Sequence, residues 1–147
     1  MKLALFDFDN TLFKTPYDED PDYMDKPESL FIRKWNFKPI SETIRIFRKI
    51  KKDPATKVIL LTNRIDSVLN EVKKILKLHD LNFDFYEPIK GVSGDRSKGN
   101  RLVKLLEKYE NVSEVEYWED KDKHIEDVEN VMLNYPKVKL KINKVTI

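Results

Sequence analysis

The sequence predicts an α/β fold, a three-layer sandwich in which a mostly parallel sheet carries helices on both faces. Two observations predict it. Apolar runs of strand length alternate along the chain with stretches of helical period. The three clearest runs also end in polar residues, as strands do in open sheets that bind ligands beyond their carboxyl ends.

Leu3 to Phe6 is an unbroken apolar run, the pattern of a strand covered on both faces in a parallel sheet. Ile44, Phe47 and Ile50, spaced by three after Ser41 as N-cap, mark the first helix. Val58 to Leu61 is a second and stronger apolar run. The stripe of Val68, Leu69, Val72, Ile75 and Leu76 marks the next helix. Phe83 to Tyr86 reads as a strand, Leu102, Leu105, Leu106 and Tyr109 as a helix, and Val115 to Trp118 as the third main strand. Ile125, Val128, Met132 and Tyr135 mark the last helix, and Val138 to Ile142 a final strand.

One segment breaks the alternation. Phe13 to Pro39 holds Pro16, Pro21, Pro27 and Pro39, an acidic cluster (Asp18, Glu19, Asp20, Asp22, Asp25) and the aromatics Tyr17, Tyr23, Phe31, Trp35 and Phe37. A loop of that length in a small domain is functional or disordered. Its aromatics favour packing, so it reads as a flap beside the first strand, with a solvated acidic loop as the alternative for the Asp-rich part. Residues 1–147 are thus expected to form a single domain with a small insertion at about 13–39.

Composition narrows the function classes. The chain has 28 Lys and Arg against 26 Asp and Glu, a net +2, which excludes a strong global commitment to nucleic acid but permits local basic patches. It has no cysteine, so disulfides and thiolate metal sites are excluded. No apolar run nears the ~20 residues of a membrane span, and the N-terminal run is too short for a signal peptide. The expected location is cytoplasmic, without membrane contact.

The polar strand ends carry the chemistry. The first strand runs into Asp7, Phe8, Asp9, Asn10 and Thr11, the second into Thr62, Asn63 and Arg64, and the third into Glu119 and Asp120. Parallel strands would bring all of them to one crevice. Asp7 and Asp9, two apart, point to one side of an extended segment. Carboxylates gathered so closely repel one another unless a cation sits between them, and an all-oxygen donor set favours Mg²⁺. Thr62, Arg64 and a lysine would supply the hydrogen bonds and positive charge that a phosphoryl group needs.

At this point the sequence resembles the haloacid-dehalogenase-like (HAD) hydrolases. LFDFDNTLF looks like their first motif, D-x-D-x-T after a short strand, and VILLTNR like their second. GDRSKGNRLVKLLEKY places Lys98 at a helix start as their third motif does, and EYWEDKDKH is similar to the fourth. Within that superfamily the chain is similar to the polynucleotide 3′-phosphatase and Swiss Army Knife RNA-repair branch. Thr62 with Arg64, and the run Gly94, Arg96, Lys98, carry that likeness, while Glu119 and Lys121 depart from it.

The resemblance implies a Rossmann-like HAD domain without a large cap. It implies Asp7 as nucleophile, Asp9 as acid and base, and Thr62 and Lys98 on the phosphoryl oxygens. Mg²⁺ would sit on Asp7, the Asp9 carbonyl and Asp120. Asn63, Arg64 and Arg96 would bind substrate, with Thr11 and Glu119 in support. Several residues keep two readings. Lys90 competes with Lys98, Arg64 could instead pair with Asp66 or Glu71, and Asp127 is either a support for Lys98 or a solvated helix acid. His124 reads as a surface helix residue. The implied function is a Mg²⁺-dependent phosphomonoester hydrolase whose phosphorylated substrate is a nucleic-acid end. The alternatives are a phosphatase of small molecules or nucleotides and a non-catalytic nucleic-acid-binding module. A phosphoreceiver domain fits poorly, because its phosphorylated Asp follows the third strand.

Overall fold

The computed structural model describes residues 1–15 and 37–147. Its strands are β1 (Lys2–Phe6), β2 (Phe13–Lys14), β3 (Lys38–Pro39), β4 (Thr56–Ile65), β5 (Phe85–Ile89), β6 (Glu114–Glu119) and β7 (Lys139–Lys144). Its helices are α1 (Ser41–Lys51), α2 (Leu69–Leu78, after a 3-10 turn at Asp66–Val68), α3 (Lys98–Lys108) and α4 (Asp122–Met132). Five strands form one sheet in the order β5-β4-β1-β6-β7, every pair parallel. This is the doubly wound, Rossmann-like order, with its switch point beside β1.

The period of two in the central strands divides the core. Ala4, Phe6, Val58, Leu60 and Trp118 face one way, onto Ile44 and Phe47 of α1 and Val72, Ile75 and Leu76 of α2. Leu3, Leu5, Ile59, Leu61, Val115 and Tyr117 face the other way, onto Leu102 and Leu105 of α3 and Val128 and Met132 of α4. Each of the Val, Leu, Ile, Phe and Met side chains among them contributes about 1.5–3 kcal/mol by leaving water. The two faces together hold β1 rigid from both sides. Phe6 stacks on Trp118 at 4.3 Å between ring centroids, on the last rung before the polar ends. Phe6 is paired with Leu60 and with Trp118, so β1 and β6 release their polar residues at one level and β4 releases Thr62 one residue later.

Some expected bounds shift. The fourth sheet strand is Phe85–Ile89, not Phe83 to Tyr86: Phe83 is buried in the core, and Asp84 bonds both the N–H and the C=O of Val58 before the ladder starts. Ser41 is the first helical residue of α1 and Ile40 its cap; the Ile40 N–H is held by the Leu12 carbonyl. Tyr109 and Tyr135 lie just past the ends of their helices, and Val138 lies before β7. The two ends of the expected flap pair as an antiparallel ribbon, Phe13 with Pro39 and Lys14 with Lys38. Its remaining features, with Tyr17, Tyr23, Phe31, Trp35 and the acidic cluster, lie outside the described residues. Among the described residues there is no cap domain, and no helix is long and apolar enough to cross a membrane.

Candidate active site

Beyond β1 the chain turns sharply. The Asp7 N–H still bonds the Trp118 carbonyl, and the Phe8 carbonyl then accepts from the N–H groups of Thr11, Leu12 and Phe13. Asn10 takes a left-handed φ of 57°, which asparagine tolerates better than most residues, and its side chain accepts from the Thr15 N–H at 3.0 Å. Phe8 is fully buried, and this anchors the residue between Asp7 and Asp9. Both carboxylates are almost buried, and each has a different cation.

Lys98 serves Asp7. It is the first residue of α3, and its ammonium lies 2.9 Å from Asp7 Oδ1 and 2.6 Å from Glu119 Oε1, without solvent exposure. Ser97 caps α3 by accepting from the Asn100 N–H, and Asp127 accepts from Ser97 Oγ and the Gly99 N–H, fixing the turn that delivers Lys98. Asp127 is therefore a support and not a solvated acid. Lys90 is exposed and takes no part in these contacts. Thr11 Oγ1 donates to the other Asp7 oxygen at 3.3 Å.

Glu119 is saturated. Its Oε1 meets Lys98, the Tyr117 hydroxyl at 2.5 Å and His124 Nδ1 at 3.0 Å, and its Oε2 accepts from the N–H groups of Asp120 and Lys121. Burial opposes its charge, but Lys98 and these hydrogen bonds hold Glu119 well below the ordinary carboxylate range. Asp120 differs: its Oδ1 is buried without a hydrogen-bond partner among the described residues. Burial and the neighbouring Glu119 charge push its pKa up to about 7. Burial and Glu119 also raise Asp7, while Lys98 partly offsets them. Lys98 itself, despite burial, is held above its usual range by Asp7 and Glu119.

Among the described residues, Lys98 thus faces three acids, Asp7, Glu119 and Asp120, which each offer an oxygen within 4.8 Å of the others. Among the described residues the charge does not balance, and one carboxylate oxygen of this group, Asp120 Oδ1, is buried without a hydrogen-bond partner. A hard divalent cation fits that donor set. Glu119, its lone pairs already engaged, suits the role of support better than that of ligand.

Arg64 serves Asp9. Fully buried, it donates from Nε to Asp9 Oδ2 at 2.9 Å and from Nη2 to Oδ1 at 2.5 Å, a bidentate pair. Its ion pair is therefore with Asp9 across the sheet, neither of the local alternatives Asp66 and Glu71. Thr15 Oγ1 adds a bond to Asp9 Oδ1 at 2.6 Å. Thr62 lies beside these groups within β4, which runs on to Ile65 with a register shift after Leu61. The Thr62 hydroxyl accepts from the Arg64 N–H, which leaves its own proton for another partner.

Asn63 lies half-buried on the flank, donating to the Arg96 carbonyl at 3.3 Å and lying 3.5 Å from His124 Nε2. The Arg96 side chain itself is exposed and reaches the Val92 carbonyl at 3.4 Å, away from the buried cluster. Arg101, absent from the expected set, is buried and donates to the carbonyls of Thr62 (2.8 Å) and Glu87 (3.2 Å) and to the Asn63 side chain. Its spacing of three from Lys98 on one helix was the available signal. His124 is no surface residue: its side chain is 13% exposed and ties Glu119 to Asn63.

Comparison with known proteins bears on the family and the fold. Residues 9–147 match the model of HAD domain family 1 in Swiss Army Knife RNA repair proteins. No individual curated protein matches the chain. A Pnkp1/Rnl/Hen1 complex contains a similar fold, at 16% identity and a TM-score of 0.68 over 98% of this chain and 45% of that one. The HAD domain of effector protein Lem4 from Legionella pneumophila is similar at 15% identity and a TM-score of 0.69, over 97% of this chain and 85% of that one. The chain thus spans less than half of the Pnkp1/Rnl/Hen1 relative.

Proposed function

The chain belongs to HAD domain family 1 of the Swiss Army Knife RNA repair proteins, and on that premise we propose that it is a Mg²⁺-dependent phosphomonoester hydrolase that trims phosphate from nucleic-acid ends. The carrying observation is the division of cations: Lys98 on Asp7 and Arg64 on Asp9. Two aspartates in one turn are thereby held for different tasks.

Asp7 attacks phosphorus in line, forming an acyl phosphate as the bond to the leaving oxygen breaks. Asp9 gives that oxygen a proton and then takes one from the water that hydrolyses the intermediate. Its two oxygens are engaged by Arg64 and Thr15, so Asp9 must release one contact to reach the leaving group. Arg64 is accordingly read as the group that positions Asp9, in place of the substrate contact expected from sequence. Lys98 and the Thr62 hydroxyl bind the phosphoryl oxygens. Asp7, the Asp9 carbonyl and Asp120 would hold Mg²⁺, which when bound supplies charge neutralisation to the phosphoryl group. Asn63 and Arg96 would form the rim met by the rest of the substrate.

A phosphatase panel at fixed Mg²⁺ tests the substrate class. It should contain a 3′-phosphorylated oligonucleotide, its 5′-phosphorylated counterpart, mononucleotides, sugar phosphates and an aryl phosphate. The 3′-phosphorylated oligonucleotide should give the highest kcat/KM among the biological phosphates. Preference for mononucleotides or sugar phosphates would remove the end-processing reading and keep the hydrolase; inactivity on all of them would remove both.

A further inference from the structure

Outside the catalytic cluster, a concentration of positive charge lies along α1. Arg45, Arg48, Lys49 and Lys52 fall at i, i+3, i+4 and i+7, one stripe of the helix and its cap, and all four are exposed. They line a groove of about 520 Å³ with Pro39, Ile44 and His79. A net charge of +2 for the whole chain makes this a local departure from balance.

The groove is built as well as charged. The Arg48 guanidinium donates to the His79 carbonyl at 3.0 Å, which orients one fork against the wall. The His79 ring packs on Phe13 at 4.9 Å, and Phe13 packs on Phe8 at 5.5 Å, the residue between the two catalytic aspartates. The groove also begins at the ribbon that returns from the active-site turn, where the Ile40 N–H bonds the Leu12 carbonyl. Arg45 is held by Glu42 at 2.7 Å, an exposed pair that a stronger anion can compete for. Lys49 and Lys52 make no ion pair among the described residues.

We propose that this α1 groove binds the sugar–phosphate backbone of the single nucleic-acid strand whose end occupies the active site. Arg45 to Lys52 spans about 10 Å of helix, a reach that serves successive phosphates and exceeds what one phosphate monoester needs. Two guanidinium forks and two lysines match phosphate oxygens, and the half-buried imidazole gives a base a flat surface. The proposal rests on the nucleic-acid reading of the active site and adds where the strand runs.

The test compares wild type with Lys49→Gln/Lys52→Gln, two positions without structural contacts to lose, using a 3′-phosphorylated oligoribonucleotide long enough to lie along α1. A dinucleotide 3′-phosphate and an aryl phosphate serve as controls. The double variant should bind the oligonucleotide several-fold more weakly, with the slope of log K against log salt shallower by about 1.4, roughly 0.7 for each single-strand phosphate contact. Its turnover of the aryl phosphate and dinucleotide should stay at the wild-type level. An unchanged oligonucleotide affinity and salt slope overturns the groove while leaving the active-site reading intact. A wild type that binds the oligonucleotide no better than the dinucleotide overturns the groove as well, whereas one that hydrolyses the aryl phosphate but neither nucleic-acid substrate overturns the reading on which it rests. Displacement of the oligonucleotide by polyglutamate of equal charge at equal concentration overturns it in favour of an acidic peptide.

Discussion

At the scale of single residues, the account turns on what each aspartate touches. Asp9 is useful only if it is aimed, and Arg64 with Thr15 aims it. General acid catalysis is worth about 10²–10⁴-fold and matters most when the leaving oxygen is a poor leaving group. Arg64→Ala should therefore lower kcat by at least about 10²-fold on an alkyl phosphate and much less on an activated aryl phosphate, with KM little changed. A uniform rise in KM on both would return Arg64 to substrate binding. Asp120 carries the second prediction. The Asp120 proton held up to about 7 must leave when a cation arrives, so Mg²⁺ affinity should climb as pH rises to that value and level off above it. Asp120→Asn should flatten the profile and weaken Mg²⁺ by more than the about 10–100-fold typical of a supporting group, whereas Glu119→Gln should stay within that range. Calorimetric titration of Mg²⁺ across pH measures both, and a larger loss in Glu119→Gln would reverse the assignment of the acidic pair.

At the scale of elements, the site depends on how closely α3 approaches α4. A Cβ on Gly99 would lie 2.7 Å from the Asp127 carbonyl oxygen and 2.9 Å from Val131 Cγ1. Helix propensity alone favours alanine over glycine by about 1 kcal/mol, but overpacking against backbone costs about 1–3 kcal/mol. Gly99→Ala should therefore lower Tm and shift Lys98 enough to reduce kcat; a higher Tm with full activity would mean that the helices part freely. Sequence made the central strands and their polar ends legible because each apolar run stops abruptly at a carboxylate or hydroxyl. It misplaced β5 because Phe83 is buried like a strand residue while its backbone is still turning, and Pro88 inside β5 is tolerated where only β4 pairs with it. Arg64 had two acids within reach along the chain, and only the tertiary fold brings Asp9 closer. Arg101 and His124 look like ordinary surface charge in sequence, since burial of a polar side chain on a helix leaves no periodic trace.

At the scale of the whole molecule, the doubly wound order places β1 between β4 and β6 and so brings the ends of these three strands side by side. Nearly every group gathered there supports or charges the carboxylate of Asp7: Lys98 and Thr11 touch it, Glu119 and Asp120 surround it, and Asp127 fixes the helix that delivers Lys98. The central claim is that this carboxylate becomes covalently phosphorylated. Borohydride reduction of acid-quenched enzyme during turnover of an aryl phosphate, followed by peptide mapping, tests it directly, because an acyl phosphate on aspartate is reduced to homoserine. Homoserine should appear at position 7 and should be lost when Asp7 is replaced by Asn; an unreduced Asp7 in enzyme caught in active turnover, or sustained activity in Asp7→Asn, would contradict the account.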